Sequence, residues 1–187
     1  LIQTTMKNIF KTAIVVIALA LTVGTVNAQS KGDMAAGANF VYGTGDGLSN
    51  FGIGAKFQYN ILDPLRLEGS FTYFMPKDYG YSLLAEAKLN MWDISVNAHW
   101  LFPVADKITV YPLAGLGIVG TSYKFSADYG EYGNYSTGAS DSDFGLNLGG
   151  GVDFKISQAV ALNVEAKYKI GGNWSRLIVS AGVAFQF

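Results

Sequence analysis

The chain contains no cysteine. This absence excludes disulfide bonds, thiolate metal sites, a cysteine nucleophile and a lipid-modified amino-terminal cysteine. Charged side chains are also scarce, at 14% of the 187 residues, whereas 50% of the chain is hydrophobic. So low a charge content indicates that part of the surface faces something other than water. Glycine, with 23 residues, and aromatic residues are abundant, which is typical of all-β proteins.

The amino-terminal segment has the pattern of an export signal. Lys7 and Lys11 precede an apolar stretch over residues 13–23, and the letters VNA at residues 26–28 form a small-residue cleavage site. The apolar stretch is shorter than the ~20 residues that a membrane-spanning helix needs. The segment is therefore predicted to be cleaved and not to remain as an anchor.

The chain is accordingly divided into two parts. Residues 1–28 comprise upstream residues and the signal peptide, with Met6 as the expected start, and residues 29–187 form the mature domain. Removing the two signal lysines from the 13 basic residues leaves 11 against 14 acidic residues. This slightly acidic balance gives no indication of nucleic-acid binding.

Apolar residues recur at every second position in eight segments of the mature chain, the pattern of strands with two different faces. An even number of strands of about ten residues is typical of a closed antiparallel barrel that crosses a membrane. The predicted fold is all-β, an eight-stranded antiparallel up-and-down transmembrane β-barrel. The segments cover residues 34–42, 51–59, 65–73, 92–102, 108–118, 144–154, 160–170 and 177–187.

Aromatic residues concentrate at both ends of these segments, where the interfacial girdles of a membrane barrel belong. A soluble barrel with its aliphatic side chains inside would leave this placement unexplained. The predicted outer girdle comprises Tyr42, Phe51, Tyr73, Trp92, Phe144 and Tyr168. The predicted periplasmic girdle comprises Tyr59, Trp100, Phe102, Phe154, Phe185 and Phe187.

Charged residues of both signs occupy the alternate, inward positions of the segments. Eight strands enclose an interior barely wide enough for side chains, and an unpaired buried charge costs several kcal/mol. We therefore expect a charge network across the lumen, with a narrow or gated ion path as the alternative. The expected members are Lys56, Arg66, Glu68, Asp153, Glu165 and Lys167.

Two other patterns are interpreted as structural. His99, the only histidine, points inward by parity, which favours a hydrogen-bonded lumen residue over a catalytic base. The letters GLGIVG at residues 115–120 match a dinucleotide-binding motif, but they lie inside a strand pattern and no helix pattern follows. We predict no catalytic, cofactor-binding or metal-binding residue.

The connections between segments differ in length on the two sides. Short turns are predicted at residues 60–64, 103–106 and 157–158, and the other side carries loops at residues 43–50, 75–91, 120–142 and 171–175. Outer-membrane barrels keep their short turns in the periplasm, so both chain termini are expected there.

The longest outer loop, over residues 120–142, is the best candidate for binding a surface ligand. It is polar and glycine-rich, and Tyr129, Tyr132 and Tyr135 give it the composition of an adaptable recognition surface. A solvated loop without a dedicated ligand is the alternative interpretation.

The sequence resembles a known family. The last segment, which ends in Phe185 and Phe187, is similar to the carboxy-terminal signal that outer-membrane proteins present to the barrel assembly machinery. The mature chain resembles the small eight-stranded barrels typified by the OmpA transmembrane domain and OmpX, catalogued as porin-family proteins. The stretch NAHWLFPVADKITVYPLAGLGIVG at residues 97–120 looks particularly like members from Gram-negative Bacteroidetes-type bacteria.

The resemblance implies a location in the cell outer membrane, among its lipids and lipopolysaccharide, and we expect a monomer. We predict a non-enzymatic integral protein that supports envelope integrity or interacts through its extracellular loops. The alternative is a small-conductance porin for ions or small solutes. A lipid-modifying enzyme ranks third, since no histidine is expected on the lipid-facing surface. No cofactor is expected, and the fold does not identify a ligand.

Overall fold

The computed structural model describes residues 30–45, 48–82, 85–128, 134–172 and 175–187, so the predicted signal peptide lies outside the described residues. Within these ranges, no helix is both long and apolar enough to cross a bilayer. The described residues form the strands β1 (Met34–Gly45), β2 (Leu48–Leu62), β3 (Leu65–Ser82), β4 (Ala85–Trp100), β5 (Phe102–Ala105), β6 (Ile108–Asp128), β7 (Asn134–Lys155), β8 (Val160–Gly171) and β9 (Ser175–Gln186).

These strands close into a barrel. Neighbouring strands pair antiparallel, β1 pairs with both β2 and β9, and β4 pairs with both β3 and β6. The short strand β5 follows β4 after Leu101, and both strands pair with β6. We therefore count β4 and β5 together as one of the eight strands of the barrel. The prediction of an all-β, eight-stranded, closed antiparallel barrel is confirmed. Closure gives the first and last strands each other's backbone hydrogen bonds, which the lipid could not supply.

The predicted alternation separates the two faces of the wall. Aliphatic and aromatic side chains of the eight segments point outward, and large ones such as Phe40, Ile53, Leu116 and Val164 are exposed. The residues of both girdles lie on this outer face, either exposed or half-buried. Polar and charged side chains at the alternate positions are buried in the lumen.

The prediction of long outer loops was wrong over most of their length. Residues 75–82 and 85–91 extend β3 and β4 as a paired hairpin, and residues 120–128 and 134–142 do the same for β6 and β7. The predicted loop at residues 43–50 is also strand except at residues 46 and 47, which are not described. The outward apolar alternation of the eight segments ends near the outer girdle, because the chain beyond the girdle no longer passes through lipid.

Two of the three predicted periplasmic turns are shorter than expected, whereas the third, predicted at residues 157–158, covers residues 156–159 between β7 and β8. Strand β2 continues to Leu62 and β3 begins at Leu65, while residues 103–105 of the second predicted turn belong to β5. Leu101, between β4 and β5, is buried, and its N–H donates to the carbonyl of Pro64 at 2.7 Å. The backbone therefore keeps its hydrogen bonds across the break between β4 and β5.

Glycines in the wall allow a crowded lumen, as the contrast between Gly115 and Gly69 shows. A Cβ on Gly115 would overlap the carbonyl oxygen of Val96 and the side chain of Asn97, whereas a Cβ on Gly69 would meet nothing within 4 Å. We expect Gly115→Ala to lower the free energy of unfolding by about 1–3 kcal/mol through overpacking. Gly69→Ala is the matched control and should stay within about 0.5 kcal/mol of the unsubstituted chain. Urea unfolding in lipid vesicles measures both; equal stability of the two variants would contradict the crowding.

Candidate functional site

The structure brings the six predicted lumen charges together as three ion pairs. Lys56 Nζ lies 3.5 Å from Glu68 Oε2, and Lys167 Nζ lies 3.3 Å from Glu165 Oε1. Arg66 donates to Asp153 Oδ2 at 2.7 Å across the barrel, from β3 to β7. All six side chains are buried, so each charge is neutralised within the lumen and not by solvent.

A further ion pair joins residues outside the predicted set. Lys169 on β8 is hydrogen-bonded to Asp93 on β4, and Ser95 donates to the same carboxylate at 2.6 Å. Lys169 Nζ also lies 3.2 Å from Ser95 Oγ. These residues occupy inward alternate positions of their strands, like the predicted set. Their place in the alternation could therefore have predicted that they lie in the lumen.

His99 is held between an arginine and a tyrosine at the periplasmic end of the lumen. Its ring stacks on Tyr111 at 4.5 Å with an interplanar angle of 9°, and the Arg66 guanidinium lies 4.8 Å from the Tyr111 ring centroid. Arg66 Nε and Nη2 approach His99 Nδ1 at 3.3 and 3.1 Å. Because arginine has only donors, Nδ1 accepts these hydrogen bonds.

Glu68, His99 and Glu165 place potential metal ligands within 4.8 Å of one another. The hydrogen bonds of His99 argue against a cation there. Since Nδ1 accepts from Arg66, the neutral ring carries its proton on Nε2, the nitrogen that faces Glu165 Oε2 at 3.9 Å. Binding a metal through Nε2 would move that proton to Nδ1, against the Arg66 donors. The three residues therefore fit a polar network better than a metal centre.

Apolar side chains occupy the lumen at its outer end, where a wholly polar interior was expected. The outer apolar cluster consists of Val41, Leu48, Phe74, Met91, Val119 and Ile178. Arg176 inserts into it from β9: its guanidinium lies 4.5 Å from the Phe74 ring centroid and donates to Asn50 Oδ1 at 2.6 Å. Leu101, Tyr111 and Leu113 form a second cluster towards the periplasm.

Little space is left between these groups. A polar cavity between the ion pairs and the outer apolar cluster, lined by Lys56, Lys167 and Ser180 among others, measures about 10 Å³. This is about the space of one water molecule. The lumen is thus filled by ion pairs in the middle and by apolar side chains towards both ends.

Of the predicted surface and terminal residues, the structure describes Tyr135 at the outer end of the barrel and Phe185 and Phe187 at the periplasmic end. Tyr129 and Tyr132 are outside the described residues, and the backbone of Tyr135 pairs with Ala127 near the top of β7. Phe185 and Phe187 are exposed at the periplasmic end, and the N–H of Phe187 donates to the carbonyl of Met34 at 3.0 Å.

Comparison with known families agrees with this architecture. Residues 12–187 match the family described as outer membrane protein beta-barrel domain. The chain belongs to this outer-membrane β-barrel family. This match confirms the predicted family resemblance and the predicted location in the outer membrane. Among curated proteins, none matches at a significant level.

Solved structures of other outer-membrane barrels share the fold. The attachment invasion locus protein Ail of Yersinia pestis is 18% identical, with a TM-score of 0.57, and the match covers 84% of this chain and 99% of Ail. Neisserial surface protein A is 20% identical with a TM-score of 0.54, covering 83% and 96% of the two chains. A major outer membrane protein of Thermus thermophilus is 14% identical with a TM-score of 0.61, covering 82% and 99%. At these identities the likeness shows the fold alone.

Proposed function

We propose that this outer-membrane barrel is a non-enzymatic, non-conducting scaffold that presents a protruding β-sheet to ligands at the cell surface. The observation that carries the proposal is the continuation of four strands beyond the outer girdle. This outer sheet consists of residues 75–82 of β3, 85–91 of β4, 121–128 of β6 and 134–142 of β7.

The outer sheet is a direct extension of the barrel wall. Pairing of β4 with β6 runs without interruption from the girdle pair Trp92↔Gly120 up to Ala85↔Ala127, and β6 stays paired with β7 up to Asp128↔Asn134. At ~3.3 Å per residue, residues 121–128 extend about 26 Å along the strand beyond Gly120. The sheet is hydrogen-bonded continuously with the wall below it, and a site built on strands suits a binding surface.

The two edges of the outer sheet differ in how they are protected. The β3 edge carries Pro76, which has no backbone donor, and its pairing with β4 shifts register twice; both features block the addition of another strand. The β7 edge keeps an unbroken register with β6 and carries no proline from Asn134 to Phe144. Among the described residues, β8 pairs with β7 only from Gly145 towards the periplasm. The β7 edge is therefore the side on which an extended peptide could add by backbone hydrogen bonds.

Charge on β7 favours a basic partner. Asp141 and Asp143 lie at alternate positions of this strand and so share one face of the sheet. Ail, which has the same fold, is known in complex with a heparin analogue, sucrose octasulfate. That precedent supports ligand binding by such barrels, but the acidic residues on β7 of this chain favour a cationic peptide over a polyanion.

Shortening the β6–β7 hairpin tests the proposal. We expect the unsubstituted protein in phospholipid vesicles to bind a peptide of alternating lysine and threonine at least tenfold more tightly than heparin. Replacing residues 123–139 by an Asn-Gly turn that joins Ser122 to Ser140 should abolish this binding, because the turn removes most of the β7 edge. Fluorescence anisotropy of the labelled peptide measures the affinity.

The control is the barrel below the sheet, which the shortened variant keeps. Both proteins should show no steady conductance in a planar bilayer, since their lumens contain the same ion pairs and apolar clusters. Equal peptide binding by the shortened variant would contradict the surface role. Steady single-channel conductance of the unsubstituted protein would overturn the closed scaffold in favour of a narrow porin.

A further inference from the structure

An apolar groove crosses the outside of the barrel wall, away from the outer sheet and the lumen. It has a volume of about 780 Å³ and runs over five neighbouring strands, β8, β9, β1, β2 and β3. Neighbouring strands lie ~4.8 Å apart, so the groove is about 19 Å long. The outside of a barrel is convex, and a groove of this size therefore requires a local cause.

Three alanines form the floor of the groove. Ala38 and Ala55 are direct cross-strand partners. Ala181 pairs with Phe40, which lies two residues after Ala38 on β1. Phe40 rises beside these small residues and is 76% exposed. Phe71, the partner of Ala55 on β3, bounds the other side. Small side chains flanked by large ones thus leave a channel in a wall whose outward positions are otherwise mostly bulky.

The strand register fixes the depth of the groove in the membrane. One row of cross-strand partners runs from Tyr73 through Ile53, Phe40 and Ala181 to Val164. Tyr73 belongs to the outer girdle, whereas Val164 lies near the middle of β8. The groove therefore descends from the outer interface to about the middle of the membrane, which is the depth of the outer leaflet.

We propose that this groove binds one acyl chain of lipid A, the lipid of the outer leaflet. Its lining is apolar, so a hydrocarbon chain gains van der Waals contact with the alanine floor and the flanking aromatic rings. The upper end at Tyr73 places the chain entrance at the level of the lipid head groups. A second copy of the barrel fills the groove less well. A two-fold contact within one membrane would place the grooves of the two copies opposite each other, so that neither copy fills the other's groove. The inference is independent of ligand binding by the outer sheet.

The absence of cysteine makes a site-specific test direct, because a single introduced thiol is unique. Ala55→Cys places a photoreactive label in the groove. Ala114→Cys is the matched control, since Ala114 is also an outward alanine near the middle of the membrane-spanning part of its strand, on the opposite wall. Both labelled proteins are reconstituted in vesicles of phosphatidylethanolamine with one tenth lipid A and illuminated, and the adducts are identified by mass spectrometry.

We expect at least a fivefold higher yield of lipid A adduct at Ala55→Cys than at Ala114→Cys. Adding Ala38→Phe, which fills the floor beside Ala55 on the lipid face, should reduce the yield to that of the control. Folding of each variant is verified by its shifted mobility on unheated gels. Equal yields at the two positions, a predominance of phospholipid adducts at Ala55→Cys, or cross-links between two copies of the chain would each overturn the proposal.

Discussion

Replacing Arg66 by methionine is expected to lower the free energy of unfolding by about 3–5 kcal/mol, the cost of breaking a buried ion pair by removing one partner. Arg66 is 1% exposed and donates to Asp153 at 2.7 Å. The same guanidinium supplies hydrogen bonds to His99 Nδ1 and lies over the Tyr111 ring. Its loss leaves the Asp153 carboxylate uncompensated in the lumen and removes the donors to His99 at the same time.

The measurement is equilibrium unfolding by urea in lipid vesicles, followed by tryptophan fluorescence. Lys107→Met is the matched control, because Lys107 is exposed in the turn between β5 and β6, and this variant should change stability by about 0.5 kcal/mol or less. The double variant Arg66→Met with Asp153→Leu should recover part of the loss, since both charges then leave the lumen together. An Arg66→Met protein as stable as the control would show that the lumen charges are solvated and that water enters the barrel.

Apolar alternation made the membrane-spanning part of the barrel predictable from the sequence. It located all eight membrane-spanning segments because lipid on one side and a polar lumen on the other impose opposite requirements on successive residues. Parity also placed Arg66 and Asp153 in the lumen. It did not identify them as partners, because they are 87 residues apart and their contact depends on how the strands are staggered around the barrel.

The outer sheet and the outer apolar cluster were not predicted, for two different reasons. Residues 121–128 and 134–141 form strands beyond the outer girdle, but the polar, glycine-rich composition of residues 120–142 favoured a loop. Phe74 and Met91 are apolar residues at inward positions directly beside the girdle residues Tyr73 and Trp92, and Val119, also inward, directly follows the outward Ile118. There the sequence has apolar residues on successive positions, which alternation alone cannot assign to the lumen or the lipid. The continuous backbone pairing of β4 with β6 shows how far these strands extend. Closure of the barrel shows which of the successive apolar residues point into the lumen.

Replacing Val96 by arginine is expected to lower the free energy of unfolding by about 2–4 kcal/mol, the cost of a cation on the lipid face at the middle of the membrane. Val96 is 56% exposed on the outer wall, midway between the girdle residues Trp92 and Trp100 on β4. Its cross-strand neighbours are Gly69 and Leu116, and neither supplies a partner for the charge. The arginine must therefore extend towards an interface or draw water into the hydrocarbon.

The matched control places the same substitution at a different depth in the membrane. Ile156 is as exposed as Val96, at 59%, but it lies just beyond the periplasmic end of β7, where Ile156→Arg should cost only about 0–1 kcal/mol. Urea unfolding in vesicles compares the two variants under the same conditions. A dependence on depth follows only if the apolar wall faces lipid, because a wall in contact with water would accept arginine equally well at both positions. Equal costs would therefore contradict the orientation of the wall on which the girdles, the filled lumen and the lipid groove all depend.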